Sequence, residues 1–331
     1  MVRSVEIDGA LHLFVRYPSL SKFGEGLFNN RSAIISVWIA VMRNIRKFAP
    51  DIIHAHTIGL DSNIGMSLKR KLRCPLVVTT HGSDALIPLS KGKEKRIVRD
   101  LTTADVIVSV SSKLLRLLDM AAVPNKKVVI LNGYCISAAH MENKAIFSIN
   151  QTSSLIERKK VDVTIKAVAL LKEKYPEIKL SVVGQGPKRT EYEQLCHTVG
   201  VSENVVFMGQ KSNTEALREM SRNQFFVMPS INEGFGIVYL EAMSVGCITI
   251  GTEGEGIEDV IVSGKNGFLI KPEAPKEIFD VIDWCIQNPE EASEIANRGK
   301  QNVKELTWGK NVREYIQIYK SLISKATYGE V

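Results

Sequence analysis

The sequence predicts an α/β protein of two doubly wound domains, each built on a parallel sheet. Three observations carry this prediction. At 331 residues the chain is long enough for two domains of ordinary size. From residue 51 onward, short apolar runs alternate with segments of helical spacing. The short runs are rich in Val and Ile with no polar alternation, as parallel strands covered on both faces require, and their alternation with helices implies βαβ units.

In chain order, Ile52–His56 is a strand and Gly59–Leu72 a helix. Pro75–Thr80 and Asp105–Val110 are β-rich, Ser111–Met120 is helical with Ser111 or Ser112 as its cap, and Lys127–Leu131 is a strand. The alternation resumes with helix Val161–Lys174, strand Ile178–Val183, helix Arg189–Val199 and strand Asn204–Met208. Helix Thr214–Arg222, strand Gln224–Met228, helix Ile237–Val245 and strand Cys247–Gly251 follow. Residues 138–154 have the composition of a linker leading into a strand, which places a domain boundary between 142 and 143. The predicted organisation is therefore 1–142, 143–307 and a terminal segment 308–331, in which Trp308–Ile323 is an amphipathic helix.

Composition narrows the class. Hydrophobic content of 44% and charged content of 24% are those of a soluble globular protein. The longest apolar run, Ala33–Met42, is too short to span a bilayer, and Arg3, Glu6, Asp8 and Arg16 interrupt any signal-peptide pattern. Cys74, Cys135, Cys196, Cys247 and Cys285 are scattered with no Cys-x-x-Cys or Cys/His pairing. That argues against zinc and a disulfide framework, and for the cytoplasm.

Charge is uneven. Residues 1–142 hold 20 Lys and Arg against 11 Asp and Glu, a formal +9 that leaves −2 for the rest of a chain totalling +7. Clusters lie at Arg43/Arg46/Lys47, Lys69–Arg73 and Lys91–Arg96. A basic half points to an anionic partner. No reader motif or aromatic interleaving accompanies the charge, so nucleic acid is not expected. An anionic membrane surface, or a lipid-diphosphate acceptor lying on it, fits better; solvated helix faces are the alternative.

The most informative stretch is Ser230–Gly246. The strand ending at Met228 passes through Pro229 into a loop with Glu233, Gly234, Phe235 and Gly236, which opens a helix carrying Glu241. A helix starting near Gly236 presents free N–H groups and its positive dipole end to an anion, and the glycines let a phosphate approach the backbone. Eight residues apart, about 12 Å at helical rise, the two carboxylates can reach opposite ends of a ligand with a diphosphate middle. A nucleotide-sugar has that shape. From spacing alone, a solvated loop charge at Glu233 and an ordinary helix carboxylate at Glu241 remain the alternative.

The pattern Pro-Ser-x-x-Glu-Gly-Phe-Gly-x-x-x-Leu-Glu-Ala-Met-x-x-Gly resembles the E-x7-E signature of retaining glycosyltransferases of family 4. The resemblance extends over residues 14–325. It implies the GT-B architecture, two Rossmann-like domains facing a central cleft, with the last helix crossing back to the N-terminal domain. It implies a donor site in the C-terminal domain, where Glu241 takes the ribose, Glu233 the sugar ring, and Gly234, Phe235, Gly236 and Ile237 the diphosphate. Leu155–Asp162 resembles the phosphate clamp, with Lys159 on the clamp lysine. Ser153-Ser154 replace the usual Gly-Arg, leaving Arg158 or Lys160 as candidates for the arginine's part. Gly184 and Gly186, in Gly-x-Gly-Pro, would line the donor side; no acid ends the following strand, so a nicotinamide fingerprint is not met. Glu255–Asp259 aligns with a Gly-Gly-x-x-Glu loop and is given no catalytic role.

In the first domain, His81 and Asp84 match a His-Gly-x-Asp motif, with His81 catalytic and Asp84 on the acceptor side beside Arg43, Arg46 and Lys47; His54 and His56 are read as structural. Family members open with a strand and a Gly-rich loop. This chain lacks that opening, and Val2–Tyr17 looks like a later strand region. No Asp-x-Asp occurs, so neither metal nor other cofactor is expected. The function implied is sugar transfer from a nucleotide-sugar to a saccharide or lipid-linked acceptor, in cell-surface polysaccharide synthesis, by a cytoplasmic enzyme peripheral on the inner membrane face. A non-catalytic relative that binds nucleotide or acts in assembly is the alternative.

Overall fold

The computed structural model describes residues 2–7, 9–15, 27–44, 49–134 and 144–328. The chain divides into two compact units, Met1–Ile130 with Arg313–Val331, and Leu131–Val312. Of the linker and entry strand expected over 138–154, residues 138–143 lie outside the described residues, as do Arg46 and Lys47, and the entry strand is Ala145–Thr152.

The first unit holds a parallel sheet of β3 (Ile53–His56), β4 (Leu76–Thr80), β5 (Val106–Ser109) and β6 (Lys126–Val129), paired in that order. Strands β1 (Val2–Ile7) and β2 (Ala10–Val15) form a separate antiparallel pair. The strand region expected over Val2–Tyr17 is this pair, whose register runs from Val2 opposite Val15 to Ile7 opposite Ala10; residues 8, 16 and 17 lie outside the described residues. The helices are α1 (Leu27–Asn44), α2 (Leu60–Leu72), α3 (Ser83–Ser90), α4 (Glu94–Leu101) and α5 (Ser112–Met120). Ser111 caps α5, its hydroxyl accepting from the Leu114 amide. Helix α12 (Trp308–Tyr328) lays Tyr315, Ile318, Tyr319 and Leu322 on a core of Val77, Val106, Val108 and Ile130.

The second unit is a six-stranded parallel sheet, ordered β12 (Phe268–Ile270), β11 (Ile248–Thr252), β10 (Asn223–Val227), β7 (Ala145–Thr152), β8 (Lys179–Val183) and β9 (Val205–Gly209). Helices α6 (Val161–Lys174), α7 (Arg189–Thr198), α8 (Asn213–Arg222), α9 (Ile237–Ser244), α10 (Pro275–Gln287) and α11 (Pro289–Val303) connect and cover the strands. Phe225, Val227, Ile149, Leu180 and Ile250 pack with α6 residues Ile165 and Val168 in its core. Strand order reverses at β7, which pairs β8 on one side and β10 on the other. The loops leaving β7 and β10 therefore lie side by side at the carboxyl edge, where open α/β sheets bind ligands.

Candidate functional site

Two polar clusters stand at the carboxyl ends of the two sheets. In the second unit, the loop after β7 turns through a single 3₁₀ turn, Glu157–Lys159, before α6. The neighbouring β8–α7 turn stitches it down, Ser153 N–H donating to Val183 O at 2.9 Å and Leu155 N–H to Gln185 O at 2.9 Å. Gly184 and Gly186 allow this approach, because a Cβ on them would lie 1.9 Å from Ser153 O and 2.3 Å from Leu155 O. The structure thus gives both glycines a packing role beneath the loop that carries Arg158 and Lys159.

The loop after β10 is tied to its neighbour by Ile231 N–H donating to Arg158 O at 2.8 Å. Glu233 is buried at 8% exposure, so it is not a solvated loop charge. Its carboxylate pairs with Lys159 Nζ, and Arg158 Nη1 lies 3.4 Å from the same oxygen. Gly236, the N-cap of α9, has φ +84°, and a Cβ there would meet the Tyr239 ring at 2.7 Å. The Tyr239 hydroxyl donates to Met228 O at 2.6 Å and lies 3.0 Å from Ser230 Oγ. Burial raises its pKa, so it stays a donor. The first turn of α9 carries no acidic residue, Phe235 is buried just before it, and the Glu233 side chain lies beside its N-cap, its Cγ 3.4 Å from where a Gly236 Cβ would stand. Glu241, one turn further in and half-buried, accepts from Asn213 Nδ2 at 3.0 Å.

Lys160, one candidate to complete the clamp, is engaged elsewhere. It is nearly buried, pairs with Glu273, and lies 3.5 Å from Glu157; the Glu273 bond raises its pKa despite desolvation. Arg158 is the cation that reaches Glu233 beside Lys159. Glu255, in the loop given no catalytic role from sequence, has a carboxylate that accepts from the Asn232 and Glu233 amides at 3.0 and 2.7 Å, a contact sequence reasoning did not foresee.

In the first unit, His81 follows β4 and is exposed. Its Nε2 lies 3.1 Å from His56 Nδ1, with the two rings stacked at 5.3 Å, and His56 lies 4.1 Å from the His54 ring. His54 is fixed by Tyr319 OH at 2.6 Å and Thr79 Oγ1 at 2.7 Å, and Thr79 bonds Tyr315 OH at 3.0 Å. Burial, then the charges His56 and His81 would carry, push His54 down to about 3. Burial and His81 also lower His56, against Asp61. Asp84, expected on the acceptor side, is occupied by backbone: Oδ1 accepts from His81 N–H at 3.0 Å and Gly82 N–H at 2.8 Å, and Oδ2 from Ile58 N–H at 2.9 Å. It holds the His81 turn in shape. Arg43 is exposed near the end of α1.

Among the described residues no helix is long and apolar enough to cross a membrane, and no group of three or more His, Cys, Asp or Glu is placed to hold a metal ion.

Comparison with known proteins gives a consistent picture. The family model of glycosyl transferases group 1 matches residues 138–302, and that of glycosyltransferase family 4 matches residues 6–137. An uncharacterized glycosyltransferase of Methanocaldococcus jannaschii is 29% identical over 92% of this chain and 84% of its own. The N-acetyl-alpha-D-glucosaminyl L-malate synthase of Bacillus anthracis is 25% identical over 85% of this chain and 77% of its own. Among solved structures, Anabaena HepE in complex with UDP and glucose superposes with a TM-score of 0.73 at 22% identity, covering 90% of this chain and 83% of that one. A sucrose-phosphate synthase of Thermosynechococcus elongatus reaches 0.80 at 18% identity, covering 97% and 86%.

Proposed function

Because the chain belongs to the group 1, family 4 glycosyltransferases of GT-B fold, we propose that it moves a sugar from a nucleotide-sugar donor with retention of anomeric configuration. The observation carrying this reading is the meeting of Lys159 and Arg158 on the Glu233 carboxylate, beside the start of α9. Two cations gathered near a helix N-terminus suit a diphosphate.

When the donor binds, its phosphate oxygens take over the cations, and Glu233 is released to accept from the sugar hydroxyls. Glu241 accepts from the ribose hydroxyls at the other end. As the glycosidic bond breaks, charge grows on the leaving diphosphate, and Lys159 with the N–H groups at Phe235–Ile237 stabilises it in a preorganised site. His81 holds the sugar or acceptor. The acceptor, a saccharide or lipid-linked saccharide of a cell-surface polysaccharide, meets the basic first unit at the inner membrane face, where the cytoplasmic enzyme is peripherally held. No metal or other cofactor takes part, the clamp supplying the positive charge that a cation would.

HepE was solved with UDP and glucose, which makes UDP-glucose the first donor to test, followed by other UDP-, GDP- and ADP-sugars. Transfer to a saccharide acceptor in excess EDTA, with the product anomer read by NMR, should give the donor's own configuration. An inverted product overturns retention. Activity lost to EDTA and restored by manganese overturns metal independence. Tight UDP binding without turnover of any donor makes the protein a binding or assembly factor.

A further inference from the structure

We propose that Glu255 is a positioning residue that holds the Glu233 loop in its donor-binding shape, an inference that rests on the donor reading above. Glu255 precedes the short turn Gly256–Asp259 after β11 and is 7% exposed. Its two carboxylate oxygens accept from two successive amides, Asn232 N–H at 3.0 Å and Glu233 N–H at 2.7 Å. Asn232 has φ +55°, in the left-handed region, a conformation that persists only where its surroundings enforce it. Successive N–H groups around a left-handed residue form a concave anion nest. Here the chain's own carboxylate fills that nest.

The rest of the turn reinforces the hold. A Cβ on Gly256 would lie 2.1 Å from Gly234 O, so the turn sits directly on the Gly234–Phe235 peptide. Glu255 O in addition accepts from Glu258 N–H at 3.1 Å, which fixes the Glu255 backbone. The consequence is a division of labour among amides. Those of Asn232 and Glu233 are committed to Glu255, leaving the donor the amides at Phe235–Ile237 and the cations of Lys159 and Arg158. The Gly-Gly-x-x-Glu pattern has glycine at position 255, so this clamp belongs to the present chain and is not implied by the loop motif.

The test compares E255Q, which keeps the shape but sets a donor against an amide, with E255A, which removes the group. Amide hydrogen exchange across residues 230–236, UDP affinity by calorimetry, and the separate kcat and KM for UDP-glucose are measured on the full chain. In both variants the Asn232 and Glu233 amides should exchange about tenfold faster, the effect of about 1.4 kcal/mol. UDP affinity should fall several-fold and donor KM rise, with the unfolding midpoint little changed. Unchanged exchange overturns the proposal. Faster exchange with unaltered UDP affinity and KM reduces Glu255 to a local brace and overturns it equally. Loss of cooperative unfolding in both variants assigns it to core stability instead. If the parent binds no UDP or other nucleoside diphosphate, the donor reading falls and the positioning role with it, whereas the exchange data still decide whether Glu255 holds the loop.

Discussion

The polar clusters of the two units solve the same placement problem with opposite chemistry. The Glu233 loop is built from full charges that pair with one another, Lys159 and Arg158 on Glu233. The histidine ladder of the first unit is built from imidazole rings and hydroxyls, with His54 pushed down to about 3 by burial and by its neighbours. Both stand at the carboxyl edge of a parallel sheet. A paired charge cluster can exchange an internal partner for a ligand anion, because its cations stay charged whichever anion they hold. A ladder whose inner ring, His54, resists taking on charge offers hydrogen bonds that suit hydroxyl groups. On the proposed function, the second unit suits the diphosphate and the first the hydroxyl groups of sugar or acceptor.

The contrast breaks most visibly at Lys159. Lys159→Ala removes the cation paired with Glu233 in a position only 12% exposed. Loss of one preorganised stabiliser of transition-state charge typically lowers kcat by about 10²–10³, and a decrease of that order is expected for transfer from the donor. A decrease below about tenfold would locate the stabilising charge elsewhere.

The ladder is tested by acid. The folded pKa of His54 lies at about 3 against an ordinary 6.5. Between those values the unfolded chain binds a proton that the folded chain refuses, so stability falls as pH drops from 6.5 toward 3 and levels off below. The slope is at most about 1.4 kcal/mol per pH unit for one group. His54→Gln keeps a polar partner for Thr79 and Tyr319 and removes the titration. Unfolding midpoints measured from pH 7 to 4 should therefore decline less steeply in the variant. Parallel curves would show that the ladder accepts protons freely.

Much of this architecture was legible because its determinants are local. Helix α6 begins and ends at the predicted residues, Ser111 caps α5, and Gly236 caps α9. Each boundary is set by a residue within one turn of it. The contacts that shape the site are not local. Glu255 lies 22 residues from Glu233 and reaches it only because β10 and β11 pair in parallel. Lys160 sits in the same basic run as Lys159, yet the left-handed turn at residue 160 sends it to Glu273. Helix α4 was hidden within a stretch read only as a basic cluster, since its buried side, Ile97, Asp100 and Leu101, includes a charged residue held by Arg96 and Arg99. His54 was legible as structural, but its tyrosine partners are more than 260 residues away in sequence or held through Thr79.

A finer contrast lies within the second unit, between a buried carboxylate held by cations and Glu241, whose carboxylate accepts from the neutral Asn213 amide. Glu241→Ala should leave the ribose hydroxyls unpaired, at a cost of about 1–3 kcal/mol that partial exposure pushes to the lower end. Calorimetry with UDP should then show several-fold weaker binding and an unfolding midpoint close to the parent's. Unchanged affinity would sink the ribose assignment while leaving the clamp standing.

The smallest contrast is in formal charge, +9 in residues 1–142 against −2 in the rest of the chain. Arg43 is exposed near the end of α1, a helix on which Ile35 and Ile39 are also exposed, one and two turns before it on the same face. A basic residue near an anionic leaflet is worth about 1 kcal/mol, so Arg43→Gln should lower partitioning onto phosphatidylserine vesicles by about fivefold. The attraction is screened within about 8 Å at physiological ionic strength, so parent and variant should converge as salt rises, with UDP binding in the other unit unaffected. If the parent does not sediment with anionic vesicles at low salt, or if the variant does so equally well, the positive charge of the first unit is solvated surface. The membrane-side acceptor then has to be given up.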